Sequence, residues 1–211
     1  MNGNGLRDQF DADLKHNTKG FLYWDSRTPF DRIRFTTDSI GNGGYAHIYL
    51  AEAGDGEKLA LKFFLNKHGV HCSENMVNRI KRNLCANLES GVLLTKHFVK
   101  PKIIPDYGSG PWYLMEYFEG GSVGQMMTLY PEIGKQGEFA GTVLAAYADM
   151  LSFIHQRGLI FQDNSWGNVL FNGSEVKICD YDLMYSAGGE PVNAGFGTPI
   201  YGSRCGRLQG K

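Results

Sequence analysis

Cysteine is scarce in this chain and badly spaced for any cross-linked or metal-bound scaffold: Cys72, Cys85, Cys179 and Cys205 lie far apart with no C-x-x-C pair. That pattern speaks against a zinc site and for reduced thiols in a cytoplasmic protein. Charge of one sign is missing too, since 21 Lys and Arg against 22 Asp and Glu leave a formal net charge of −1. Neither nucleic acid nor an anionic membrane surface is therefore expected as the main partner. No apolar run approaches the length of a transmembrane helix, the polar start M-N-G-N-G-L-R-D is no secretory signal, and no internal repeat is present. What the chain does have is glycine, 28 residues that fall largely at specific turns, and a hydrophobic fraction of 42%. With 211 residues, that suffices for one sizeable domain or two small lobes.

Residues 1–34 are polar and glycine-dotted apart from an aromatic patch, Phe21-Leu22-Tyr23-Trp24, which can strap over the domain or meet a partner. From Ile33 to Leu65 three apolar stretches alternate with Gly41-Asn42-Gly43-Gly44 and Gly54-Asp55-Gly56, which predicts a three-stranded antiparallel meander. Between Glu74 and Lys96, apolar residues recur every three or four positions, a helical face that Gly91 weakens. Strands are expected at Ile103-Ile104 and Trp112–Met115, joined by a turn over 106–111, and Glu119-Gly120-Gly121-Ser122 then breaks the pattern like a hinge. Beyond it, Ser122 can cap a short helix ending near Tyr130, and a longer one spans about Gly137 to Gln156 before Gly158.

The chemistry concentrates in Phe161 to Phe171, F-Q-D-N-S-W-G-N-V-L-F. Asp163 is followed five positions later by Asn168, and the apolar strand Val176-Lys177-Ile178-Cys179 delivers a second acid, Asp180. Two acids and an amide at strand ends can gather a divalent cation and a hydroxyl nucleophile, and such oxygen ligands suit Mg²⁺. Each residue alone is equally an ordinary turn or cap. Upstream, Ile40-Gly41-Asn42-Gly43-Gly44-Tyr45-Ala46-His47-Ile48 fits G-x-G-x-x-small-x-β-branched, a hairpin whose glycines let backbone N–H groups approach phosphate oxygens. One hairpin later, Leu59-Ala60-Leu61-Lys62 sets a lysine inside an apolar strand. That placement is costly unless the ammonium meets anions or snorkels from an edge.

The order of these motifs resembles the protein kinase superfamily, over about residues 35 to 203. The resemblance implies an α+β, two-lobed protein-kinase-like fold. It divides into an extension over 1–34, an N-lobe over 35–118 with a five-stranded antiparallel sheet and one main helix, and a mostly helical, partial C-lobe over 119–211. It implies ATP and Mg²⁺ bound in the cleft between the lobes. Gly41, Gly43 and Ala46 then belong to the phosphate-binding loop, and Lys62 holds the α- and β-phosphates with Glu89 as its counter-ion, Glu74 being the competitor. The Glu116 carbonyl and Phe118 N–H meet the adenine edge, Met115 flanks the back of the pocket, and Ile40, Ile48, Ala60 and Leu170 sandwich the base. Asp163 orients the hydroxyl that receives the γ-phosphoryl group, and Asn168 and Asp180 hold the metal. Gly197-Thr198-Pro199-Ile200-Tyr201 is similar to the stretch after a kinase activation segment, with Thr198 bridging towards Asp163.

The departures from the family pattern are informative. Phe161-Gln162 stands where histidine-arginine is usual, so phosphorylation control through that arginine is not expected, and Phe161 is expected to pack on Tyr181. Ser165 replaces a lysine, and Asp180-Tyr181-Asp182 carries an aspartate in place of glycine. Asp182 either joins the metal shell or stiffens its segment. The last two departures keep a small-molecule kinase of the choline or aminoglycoside type as a rival to a serine/threonine protein kinase. After Tyr201 the sequence reads G-S-R-C-G-R-L-Q-G-K, where the family continues into further helices. A lobe without them is expected to bare the apolar face of the helix over 137–156, which calls for a partner or a dimer, or makes the chain a weakly active, nucleotide-binding interaction module.

Overall fold

The computed structural model describes residues 20–23, 32–65, 72–105 and 111–189. They form two compact units, one made of the described residues up to Asn78 together with Lys100–Tyr117, the other of Arg79–Val99 with the described residues from Phe118 onward. The cut at 117/118 lies one residue from the boundary read in the sequence, whereas the segment 79–99 belongs with the second unit.

The first unit is a sheet of six strands: β1 Gly20–Tyr23, β2 Arg32–Asn42, β3 His47–Ala53, β4 Lys58–Phe63, β5 Pro101–Ile103 and β6 Trp112–Glu116. Their order is β1-β2-β3-β4-β6-β5, every pairing antiparallel. The expected meander is β2 to β4. The sixth strand comes from the aromatic patch, whose backbone pairs Phe21 with Arg34 and Leu22 with Ile33, so it extends the sheet instead of lying across it as a strap. Strand periodicity sorts the side chains. Leu59, Leu61 and Phe63 of β4 join Ile33, Tyr49, Ala51, Trp112 and Leu114 in one buried cluster. Ala60 and Lys62, the alternate residues, point from the other face.

Helix α1, Glu74–Glu89, follows β4 in the chain and ends two residues before Gly91, whose φ of 75° takes the left-handed conformation that closes helices. A 3₁₀ turn, Val92–Leu94, follows, so the break expected near Gly91 is present. In the second unit, α2 (Val123–Leu129) is capped by Ser122, whose side chain accepts from Gln125 N–H at 3.1 Å. Helix α3 is Gly137–His155, and β9 (Val169–Phe171) pairs antiparallel with both β7 (Gly121–Ser122) and β10 (Val176–Ile178). A two-stranded ribbon pairs β8 (Leu159–Ile160) with β11 (Tyr185–Ser186). Glycine is obligatory at 120, where a Cβ would sit 2.6 Å from Phe171 O and 2.7 Å from the Phe118 ring.

The expected bare face of the long helix is corrected here. Phe139, Val143, Met150 and Ile154 are 9%, 3%, 1% and 0% exposed, and the Phe139 ring meets Phe171 edge-on at 5.4 Å. The large apolar side chain of α3 that is exposed is instead Leu144. Among the described residues no helix is long and apolar enough to cross a membrane.

Candidate active site

The glycine hairpin lies at the β2–β3 turn, where Gly41 pairs with Ile48 and Asn42 with His47. The turn closes through Gly43 N–H donating to Ala46 O at 2.8 Å. A Cβ on Gly44 would meet nothing within 4 Å, and one on Gly43 only Ala46 O at 3.5 Å. Packing therefore demands glycine at neither position; what glycine offers there is backbone that no Cβ shields from a close-lying ligand. Lys62 faces Ile48 on one side and Tyr113 on the other. Cross-strand partners share a face, so Gly41, Ile48 and Lys62 form a row, with Ala60 and Met115, paired with each other, one step along the same face. Ala46 and Ala60 are buried, Gly41 and Ile48 are half-buried, and Ile40 is exposed.

Lys62 is 2% exposed, and its ammonium stands 5.2 Å from the centre of the Tyr45 ring. Tyr45, the aromatic of the glycine turn, is itself buried and stacks on Phe64 with the ring planes 8° apart. The Cys72 thiol donates to Tyr45 O at 3.2 Å and ties the turn down. Tyr45 was not among the residues singled out in the sequence; an aromatic at the tip of a glycine hairpin, one hairpin away from a buried lysine, was the available signal.

Glu89, the counter-ion that the resemblance implies for Lys62, lies in the second unit. It is the last residue of α1, exposed to solvent, and makes no ion pair among the described residues. A carboxylate that neutralises a buried ammonium must itself leave water, and Glu89 has not done so. Glu74, at the first position of α1, is exposed as well. The helix carries no other acid. Glu116 closes β6 half-buried, its N–H donating to Lys100 O at 2.9 Å.

In the second unit the acid, the amide and the second acid are joined by one chain of hydrogen bonds. Asp163 O accepts from Ser165 N–H at 2.9 Å and from Asn168 Nδ2 at 3.0 Å. Asn168 O in turn accepts from Cys179 N–H at 2.9 Å, and Asp180 is the next residue. Because the Asn168 nitrogen is turned to Asp163, its side-chain oxygen is the atom that remains for a cation. Strand β10 is held on two sides, by β9 and by a parallel bridge from Phe98, with Ile178 N–H donating to His97 O at 2.8 Å. Asp180 leaves that strand with φ 57°, the one non-glycine residue in the left-handed region among those described. Strain of this kind is held by surrounding structure and clusters at functional sites.

The neighbours of this loop are also specified. Phe161 is buried. Tyr181 is buried edge-on against Phe98 at 5.7 Å and donates to Val99 O at 2.6 Å, so its observed ring partner is Phe98. Asp182 is fully buried in the turn Tyr181–Met184. Phe118 is nearly buried, with the Lys177 ammonium 5.5 Å above its ring, and Leu170 is half-buried in β9. Residues 197–201, Thr198 included, lie outside the described part of the chain.

Asn168 and Asp180 fit Mg²⁺ by their donor set, an amide oxygen and a carboxylate, both hard ligands. No three His, Cys, Asp or Glu side chains gather into a metal cage among the described residues. This donor pair therefore suits a cation completed by phosphate and water oxygens.

A strand-rich unit presenting a buried lysine beside a glycine hairpin, followed by a mostly helical unit with a linked acid, amide and acid, defines a kinase-like fold. The chain belongs to the protein kinase domain family, whose model matches residues 35–203. It is 24% identical over 174 residues to the serine/threonine-protein kinase chk1 of Schizosaccharomyces pombe, covering 77% of this chain and 33% of that protein. The serine/threonine-protein kinase grp of Drosophila melanogaster is 25% identical over 175 residues, 81% of this chain and 31% of the relative. The chain thus spans about a third of the length of these curated relatives. Among solved structures, the Mycobacterium tuberculosis PknI kinase domain matches with a TM-score of 0.53 at 21% identity, over 70% of this chain and 58% of that one, a likeness of fold.

Proposed function

We propose that the chain carries the phosphotransfer machinery of a serine/threonine protein kinase, moving the γ-phosphoryl group of ATP to a serine or threonine hydroxyl with Mg²⁺, in the cytoplasm. The observation that carries the reading is the hydrogen-bonded series from Asp163 through Asn168 to Cys179, which fixes the base, the amide and the second acid relative to one another. Asp163 accepts and orients the acceptor hydroxyl. Lys62 and the N–H groups of the glycine turn hold phosphate oxygens, and Asn168 and Asp180 hold the cation. Bound Mg²⁺ would neutralise charge on the phosphates. Positioning and electrostatics supply most of the rate in such a reaction. The serine/threonine kinases among the relatives support a protein acceptor over a small-molecule one.

The test is phosphate transfer from labelled ATP to generic protein substrates by the wild type and by Asp163→Asn. Labelling at least 100-fold weaker in the variant is expected, taking general-base catalysis as worth about 10²–10⁴-fold. Equal labelling by both would refute the reading. One observation favours a second reading, a nucleotide-binding module of weak activity: α1 brings acids only at its two ends, and both are exposed to solvent. Under that reading Mg-ATP raises the melting temperature while no label is transferred.

A further inference from the structure

Helix α3 reaches the loop that follows Asp163 through Tyr147, a residue that neither the family motifs nor the reading above uses. Its hydroxyl donates to Asn164 Oδ1 at 2.9 Å, and Asn164 directly follows Asp163. Its ring meets the indole of Trp166 at 5.4 Å, three positions after the acid. The same helix face, with Leu151, and the loop residues Asn164, Ser165 and Trp166 line a hollow of about 180 Å³. One side of the loop is thus fixed from within, by Asn168 and Ser165 on the Asp163 carbonyl, and the other from outside, by Tyr147.

We infer that Tyr147 is a positioning residue for phosphoryl transfer, setting the orientation of Asp163 by clamping the peptide that follows it. The bonds to the Asp163 carbonyl hold the peptide between Asp163 and Asn164 at one atom, and the Tyr147 bond to the Asn164 side chain holds the far end of the same peptide, so the Cα from which the Asp163 carboxylate projects cannot swing about that carbonyl. Burial, and after it the negative charge of Asp163, push the phenol's titration above its ordinary range, so the hydroxyl stays a donor at working pH. A half-buried tyrosine whose hydroxyl is bonded to a loop asparagine is specific equipment, since phenylalanine would fill the same space.

The inference rests on the kinase reading, and the experiment separates the two. Tyr147→Phe keeps the ring and removes the donor, Asn164→Leu removes the acceptor, and the double variant completes a cycle. Each single variant is expected to lower kcat about 10-fold with KM for ATP within about two-fold, since small misplacements of a reacting group are costly in rate. The double variant is expected to be no worse than either single one. Asn164→Asp, which keeps an acceptor for the phenol, is expected to retain most of kcat. Amide exchange at Ser165 and Asn168 is read in the same proteins and is expected to speed up about 10-fold in Tyr147→Phe. An unchanged kcat, a parallel rise in KM for ATP, or losses that multiply in the double variant would each overturn the clamp. If the wild type transfers no phosphate, exchange alone decides: faster exchange in Tyr147→Phe upholds the clamp while the kinase reading falls, and unchanged exchange refutes the clamp.

Discussion

Asn168 is asked to do two things with two atoms, and substitution can pull them apart. Its nitrogen donates to Asp163 O at 3.0 Å, and its oxygen is assigned to the cation. In Asn168→Ala both are lost. The Asp163 carbonyl still accepts from Ser165 N–H, so it is not orphaned, and the cost should stay near a single net hydrogen bond, about 1 kcal/mol. In Asn168→Asp the donor becomes an acceptor facing another acceptor at the same distance. The loss then adds desolvation and repulsion and reaches about 2 kcal/mol. For a chain of this size that is a fall in melting temperature of about 4 to 8 °C, against about 2 to 4 °C for the alanine variant. Metal dependence should run the other way, because a carboxylate is a better ligand for a hard cation than an amide or a methyl group. The expected result is a crossing: Asn168→Asp is the less stable variant in EDTA but needs less Mg²⁺ for half-maximal nucleotide binding than Asn168→Ala. Thermal denaturation in EDTA and a Mg²⁺ titration of ATP binding measure the two quantities. If both properties fall in the same order, the division of labour between the two atoms is refuted.

Three further outcomes are expected. Tyr45→Ala should raise nucleotide affinity about two- to five-fold, because the ring stands against the Lys62 ammonium with a cation–π attraction of about 0.5–1 kcal/mol that a phosphate must replace; calorimetric titration with Mg-ATP reads this, and weaker binding would show that the ring helps to hold nucleotide. Glu89→Gln should leave stability within about 0.5 kcal/mol and KM for ATP unchanged, as befits an exposed helix end; a large rise in KM would restore it as the partner of Lys62. The His97 titration is lowered from 6.5, chiefly by burial, with Asp149 opposing the shift and Lys96 and Arg157 reinforcing it. The unfolded chain then binds the extra proton first, so stability is lost as pH falls below about 6.5; His97→Gln should flatten denaturation midpoints measured between neutral pH and that acid window.

Much of this arrangement could be read from residues whose chemistry is local. The alternation in Leu59-Ala60-Leu61-Lys62 announced both a strand and an odd lysine, and the structure puts the leucines in the core and the lysine on the other face. Asp163, Asn168 and Asp180 were legible as a group because turns and short apolar strands set them close together in the sequence, and the structure links Asn168 to Asp163 and to Cys179. The surroundings of Glu89 were harder to read, because a periodic pattern that runs on past Gly91 does not say that the helix closes at Glu89 on a turn open to water. Tyr147 looked like another apolar helix position. Its hydroxyl partner, Asn164, lies 17 residues further along, and that distance is closed only by the return of the chain through β8. The sixth strand escaped notice for a similar reason, since an edge strand is recruited by backbone pairing that composition does not record.

The backbone at Asp180 has a wider consequence. A residue with a Cβ held at φ 57° costs the fold free energy that glycine would not, about 1 kcal/mol or somewhat more. Replacing that acid by glycine would therefore relieve this backbone cost while removing the carboxylate proposed to hold the cation. Loss of catalysis and gain of robustness lie along the same mutational step, so a lineage released from selection for turnover has a downhill route to a well-folded, inactive descendant.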